Sequence, residues 1–402
     1  MSTSTKSYHL QIVLHVENLG HYTTRDSWIY DTSEEHYQSR RSLQLMAVLR
    51  QVNRAFCRSA TPRLFRCINA TLHSFPYDSP LLRLVEISKS PYNIYVRRVE
   101  FGTGSIDWDV VAELYLDSLE RLLQCCLQSF PTLKALSFNN LDWFSLSEDF
   151  ERRYSQTINA ALCCIPLPNL TELEIVQLAG QDGNYFLCSD LGSCKISTNR
   201  ILQRLQHLTL HGFGQSSGWF YRGDKYNLRL LDVAKQAVSL QSLTICDANV
   251  IDIDSITFHC SLPIRYLCLK RVFISSKTLL SFLDQCKGTI KCIELCEVWL
   301  KSGTWENVLS HISDFPLVLD ARAMFCGRSY HDATGPFAVL YGPRVDGPKT
   351  GTQDHLGNSS LGNLQRRVNA NRVAAGMKPF SEDVYEWVGQ TSPEMEAPEP
   401  EG

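Results

Sequence analysis

The stretch Leu262-Pro263-Ile264-Arg265-Tyr266-Leu267-Cys268-Leu269 has a counterpart 26 residues on, Ile290-Lys291-Cys292-Ile293-Glu294-Leu295. In both, apolar residues occupy relative positions 1, 4 and 6. Positions 4 and 6 alternate as one face of a strand does, with polar or small residues between them. The same spacing recurs upstream as Val96/Val99/Phe101, Leu133/Leu136/Phe138, Leu170/Leu173/Ile175, Leu205/Leu208/Leu210 and Leu240/Leu243/Ile245, with successive starts 37, 37, 35, 35, 24 and 26 residues apart. Position 9 is apolar as well in the last six segments: Leu141, Leu178, Phe213, Ala248, Val272 and Val298. A repeat of this length is one supersecondary unit that covers its neighbour's apolar face.

Amphipathic helices precede several of these strands. Leu116, Leu119, Leu123, Cys126 and Phe130 share one helical face, as do Phe150, Tyr154, Ile158, Ala161 and Ile165. Ser275 or Ser276 is placed to cap a helix through Leu279, Leu280 and Leu283, and Ser302 or Thr304 one through Trp305, Val308 and Ile312. A final strand is expected around Leu317–Leu319. Helix and strand in alternation require a parallel sheet, because each connection crosses over. The fold class expected is α/β: a small N-terminal helical domain, an irregular solenoid with a parallel sheet, then a disordered tail. An ordinary doubly wound α/β domain is the alternative.

The divisions expected are residues 1–70 (helical, with a loop at 23–41), a connector 71–93, the repeats 94–341 and a tail 342–402. In the first, Ile12, Val16 and Leu19, then Leu45, Leu49, Val52 and Phe56, follow helical spacing. Thr61-Pro62 reads as the cap and first residue of a short turn through Leu64 and Phe65. The tail is rich in Gly, Pro and Glu, with transient helicity expected at Leu361–Ala375 and a docking helix there as the alternative.

Lys plus Arg number 39 against 42 acidic residues, a net charge of −3, so neither nucleic acid nor an anionic membrane is an expected partner. The first twenty residues lack the order of a secretory signal, and no uninterrupted apolar run reaches spanning length. The 15 scattered cysteines read as free thiols of a reducing compartment, cytoplasm or nucleus. His211 and Cys246 share position 7 on consecutive strands, but no close Cys-x-x-Cys pair anchors a zinc site. Gly212-Phe-Gly214-Gln-Ser-Ser-Gly218 has its third glycine one residue late for a dinucleotide fingerprint. The chain is therefore read as non-enzymatic, with no catalytic residue, cofactor or metal expected. An α/β enzyme remains the weaker alternative.

Val52-Asn53-Arg54-Ala55-Phe56 and Ala60-Thr61-Pro62-Arg63-Leu64-Phe65 resemble the second half of an F-box, as in fungal F-box proteins with leucine-rich-like repeats, and Leu10–Leu19 resembles its first helix. The resemblance covers about 60 residues. It implies an adaptor that docks on a Skp-family linker of a cullin ubiquitin ligase and holds a protein substrate on its repeats. The linker contacts it implies are Leu10, Ile12, Val13, Val16, Leu49, Val52, Pro62 and Leu64. Leucine-rich repeats commonly carry Asn or Cys at position 9; the apolar residues here lead us to expect stacking held by packing. Strand alternation puts positions 3, 5 and 7 on the open face, which gives Glu172, Glu174, His207, His211, Tyr266, Lys270 and Glu294 as candidate substrate contacts. A repeat scaffold without ligase association is the alternative function.

Overall fold

The computed structural model describes residues 40–72, 80–103, 109–140, 148–176, 198–212, 234–254, 262–324, 327–328 and 354–380. The expectations for Leu10–Leu19, for most of the 23–41 loop and for Leu141, Leu178 and Phe213 lie outside these residues, as does Gly212–Gly218 beyond its first residue.

Among the described residues two helices come first, α1 (Arg40–Val52) and α2 (Arg54–Leu64). The strands are β1 (Cys67–Leu72), β2 (Arg98–Thr103), β3 (Ala135–Asn140), β4 (Glu172–Val176), β5 (His207–Gly212), β6 (Ser242–Asp252), β7 (Tyr266–Ile274), β8 (Cys292–Leu300), β9 (Asp320–Met324) and β10 (Gly327–Arg328). Among the described residues the helices joining or following them are α3 (Pro80–Lys89), α4 (Asp109–Gln128), α5 (Glu148–Cys164), α6 (Thr198–Leu202), α7 (Ser276–Cys286), α8 (Trp305–Ser313) and α9 (Asp354–Ala374).

All strand pairs are parallel, and β1 to β8 lie side by side in chain order, with β9 and β10 both paired to β8. A doubly wound sheet reverses its strand order and a barrel closes; this sheet does neither. The predicted triplets line up in register, Val99–Leu136–Leu173–Leu208–Leu243–Leu267–Ile293 and Phe101–Phe138–Ile175–Leu210–Ile245–Leu269–Leu295. Every residue of all seven triplets is at most 2% exposed. They join Leu116, Leu119, Leu123, Phe150, Tyr154, Ile158, Leu279, Leu283 and Val308 in one continuous core, so the helices cover one face of the sheet.

The array extends beyond those triplets at both ends. Ile68 and Ala70 pair with Val99 and Phe101, so β1 is a further rung, and the sheet begins within residues 1–70, expected to be helical apart from the loop at 23–41. At the other end Val318 takes position 1, and Ala321 and Ala323 continue the two rows. The last strand therefore starts at Asp320, not around Leu317–Leu319.

Backbone bonds at position 2 tie the rungs together: Arg97 N–H donates to Arg66, Lys134 to Arg97, Thr171 to Lys134, and so on to Leu319, which donates to Lys291 at 2.7 Å. The residue before position 1 adds a side-chain tie. Thr132 Oγ1 donates to the Val96 carbonyl at 2.9 Å, Asn169 Nδ2 to Pro131 at 2.9 Å, and Thr289 Oγ1 to Ile264 at 2.8 Å. Polar side chains thus bond backbone along the stack, at a different site from position 9. Packing alone does not hold it.

Helix α9 closes the stack: the docking helix held as the alternative for Leu361–Ala375 is what the structure shows, and this stretch is not disordered tail. Leu364 and Val368 enter the core, and Asn371 Nδ2 donates to the Phe315 and Val318 carbonyls at 3.1 and 2.9 Å. Asn371 thereby supplies to Val318 the bond that Thr132 supplies to Val96.

Three local features differ from expectation. Pro62 lies inside α2, whose cap is Asn53: its Oδ1 accepts from the Ala55 and Phe56 N–H groups at 2.9 and 3.0 Å. Val272 pairs with Ile251, not Ala248, because β6 carries extra residues between Cys246 and Ile251. Arg271 and Glu297 have φ of 56° and 52°, a left-handed conformation that costs a non-glycine residue about 1–2 kcal/mol. These bulges invert the alternation, so Val272, Ile274, Val298 and Leu300 turn back into the core. An Arg271–Glu297 ion pair at 2.7 Å joins the two bulges.

Candidate functional site

The sheet face opposite the helices is built from positions 3, 5 and 7, and the residues of its first two rows are buried or half-buried. Row 3 reads Arg98, Ala135, Glu172, His207, Ser242, Tyr266, Cys292, Asp320; row 5 reads Glu100, Ser137, Glu174, Thr209, Thr244, Cys268, Glu294. All seven candidate substrate contacts stand on this face by register, with His211 and Lys270 in row 7. The structure divides them into different environments.

Glu172 and Glu174 belong to an ion cluster centred on Arg98, which the sequence reading missed. Arg98 Nε donates to Glu100 at 2.9 Å, Nη2 to Glu174 at 2.6 Å, and Nη1 to Glu172. The guanidinium crosses a whole strand to reach β4, a span of about 9.6 Å at 4.8 Å per strand. It passes because β3 presents only Ala135 and Ser137 in those rows. Burial works against the Arg98 charge, but Glu172, Glu174 and Glu100 outweigh it and hold its pKa above the ordinary value. The two glutamates are consequently engaged within the molecule.

Tyr266 points to the open face but is only 4% exposed, packed with Cys268 and Cys292, so it is not presented to a partner as expected. Its hydroxyl donates to Glu294 Oε2 at 3.1 Å. Burial, with the Glu294 charge beside it, pushes the Cys268 thiol up to about 12, and burial also raises Cys296. These thiols are protonated and unreactive at neutral pH. His207 and His211 are half-buried, and Lys270 is exposed. Burial lowers the His211 pKa; Glu174 opposes this and Lys270 reinforces it. His211 and Cys246 are register partners, as their shared position implied. Among the described residues no three His, Cys, Asp or Glu side chains converge to hold a metal ion. Beyond the bulges, Phe273 and Trp299 meet on this face with ring centroids 5.5 Å apart.

Of the candidate linker contacts, Leu49, Val52, Pro62 and Leu64 lie in a helical head with its own small core. Met46, Phe56 and Ala60 form a small core of their own, with Leu45, Leu49 and Leu64 packed against it. Leu49, Pro62 and Leu64 are half-buried, and Leu49 and Leu64 serve partly to close this core. Val52 is 59% exposed, and Val48, one turn earlier and not picked out from the sequence, is 61% exposed. The helical spacing of i and i+4 was the available signal for Val48. Leu10, Ile12, Val13 and Val16 lie outside the described residues.

No protein-family model matches the sequence, and a search of curated proteins finds no match. No helix among the described residues is long and apolar enough to cross a membrane.

Proposed function

We propose that the chain is a non-catalytic substrate-recognition adaptor of a Skp–cullin–F-box type ubiquitin ligase. The head docks on the Skp-family linker, and the sheet face opposite the helices holds a protein substrate. The observation that carries this reading is the valine pair Val48 and Val52, exposed on a head with its own core apart from that of the repeats. Adjacent apolar side chains on one helix face suit a helix-in-groove contact with another protein. The sheet face opposite the helices supports the second half, since such arrays commonly bind partners on their strand face, and half-buried His207 and His211 and exposed Lys270 stand there. Its mix of carboxylates, imidazoles and one exposed lysine suits a protein surface better than a phosphate backbone.

Co-purification of the full chain with a Skp-family linker tests the reading. The parent should bind, and the V48D/V52D variant should lose about thirtyfold or more in affinity, as expected for hot-spot residues of about 2 kcal/mol. Its melting temperature should hold, because both side chains are already exposed. A parent that does not bind, or a variant that binds equally well, rejects the adaptor role.

A further inference from the structure

We infer that Arg50 is a latch that holds the helical head in one orientation against the repeats. The head's core of Met46, Phe56 and Ala60 is a cluster distinct from the continuous core of the solenoid. Among the described residues the two cores share no buried side chain, only half-buried Phe65 at the joint itself packs against the solenoid core, and α2 runs into β1 through Phe65 and Arg66. Arg50, in the last turn of α1, spans this joint. Its guanidinium carbon sits 5.4 Å from the Phe65 ring centroid and 4.8 Å from that of Tyr92, and Nη2 donates to the Tyr92 hydroxyl at 2.6 Å.

The two rings stack on each other at 4.5 Å with 8° between planes. Phe65 caps the end of α2, whereas Tyr92 belongs to the turn that carries the chain from α3 to β2. One planar cation thus ties three segments: the first head helix, the exit of the second and the first crossover of the array. Among the described residues Arg50 has no carboxylate partner, so the aromatic faces and the phenol hold the charge. A guanidinium can meet ring faces and donate a bond at once; an ammonium is a compact point charge without that planar fork. A half-buried contact of this kind opens without melting either core. The consequence for ligase geometry, a fixed reach from linker to substrate face, rests on the adaptor reading. The latch itself does not.

Bio-orthogonal spin labels at the exposed positions Arg58 on α2 and Arg121 on α4, read by pulsed dipolar spectroscopy in the full chain, test it. The parent should give one narrow distance. Arg50→Ala should lose that single narrow distance to a broad distribution while the repeats melt as before. Arg50→Lys and Tyr92→Phe should fall between. An Arg50→Ala distribution as narrow as the parent's overturns the latch. Should that variant fail to fold, Tyr92→Phe decides, and an unbroadened distance there overturns it equally. The readout contains no linker protein, so its result is independent of whether the head binds one.

Discussion

Replacing Arg98 with alanine removes the cation from a site where three carboxylates converge. The side chains of Glu100, Glu172 and Glu174 are only 8%, 15% and 28% exposed, so none is fully hydrated. Breaking a buried pair by removing one partner costs about 3–5 kcal/mol, since the remaining charge stays desolvated. Glu174 keeps some water, which places the expected loss near the lower end, about 3 kcal/mol. The loss should depend on pH with a definite sign. Without the cation, the folded state retains carboxyl protons that the unfolded chain releases, so stability falls as pH rises through the carboxylate range. The deficit should therefore be larger at pH 7.5 than at pH 5. Urea unfolding at both values measures this, with amide exchange in β2–β4 reporting whether those rungs open locally. Adding E172Q and E174Q to the variant should recover much of the loss at pH 7.5. A deficit below 1 kcal/mol, or an equal deficit at both pH values, would refute the reasoning.

Tyr115→Phe should cost about 1–3 kcal/mol and speed exchange of the Gly102 amide, because the buried hydroxyl accepts from Gly102 N–H at 3.2 Å and donates to the Ala70 carbonyl at 2.9 Å. Alkylation at pH 8, read by mass spectrometry, should modify exposed Cys125 well before Cys268 or Cys286, whose thiols burial pushes up to about 12. Leu364→Ala should lower stability by about 2–5 kcal/mol, with early exchange confined to β9 and α8, since it opens the closing helix first.

The rungs were legible because the array imposes the same demand at every turn. A position that faces the helices on one strand does so on the next, so Leu136, Leu173, Leu208 and Leu243 announce one another. The terminal rungs escaped notice for two reasons. Ala321 and Ala323 are too small to stand out, and Phe65, Ile68 and Ala70 read equally well as the end of a helical head. Helicity in α9 was legible over Leu361–Ala375, but the way it docks was not, because Asn371 holds it by bonds to two carbonyls and an isolated asparagine carries no periodic signal. The open-face positions followed from alternation, but their environments did not. That Arg98 reaches β4 depends on Ala135 and Ser137 being small on the strand between, a coincidence of three repeats that no single segment displays. Val48 lay within a legible helix, yet its exposure depends on how α1 packs on α2.

The left-handed residues Arg271 and Glu297 make β7 and β8 change phase along their length. Before each bulge even-numbered rung positions face the interior, and after it odd-numbered ones do. A chimera that exchanges part of one strand for part of another must join them at matched rungs. A seam displaced by a single residue would turn Val272 and Ile274, or Val298 and Leu300, outward and bring Phe273 or Trp299 in. Whole units can thus be swapped far more freely than fragments of them.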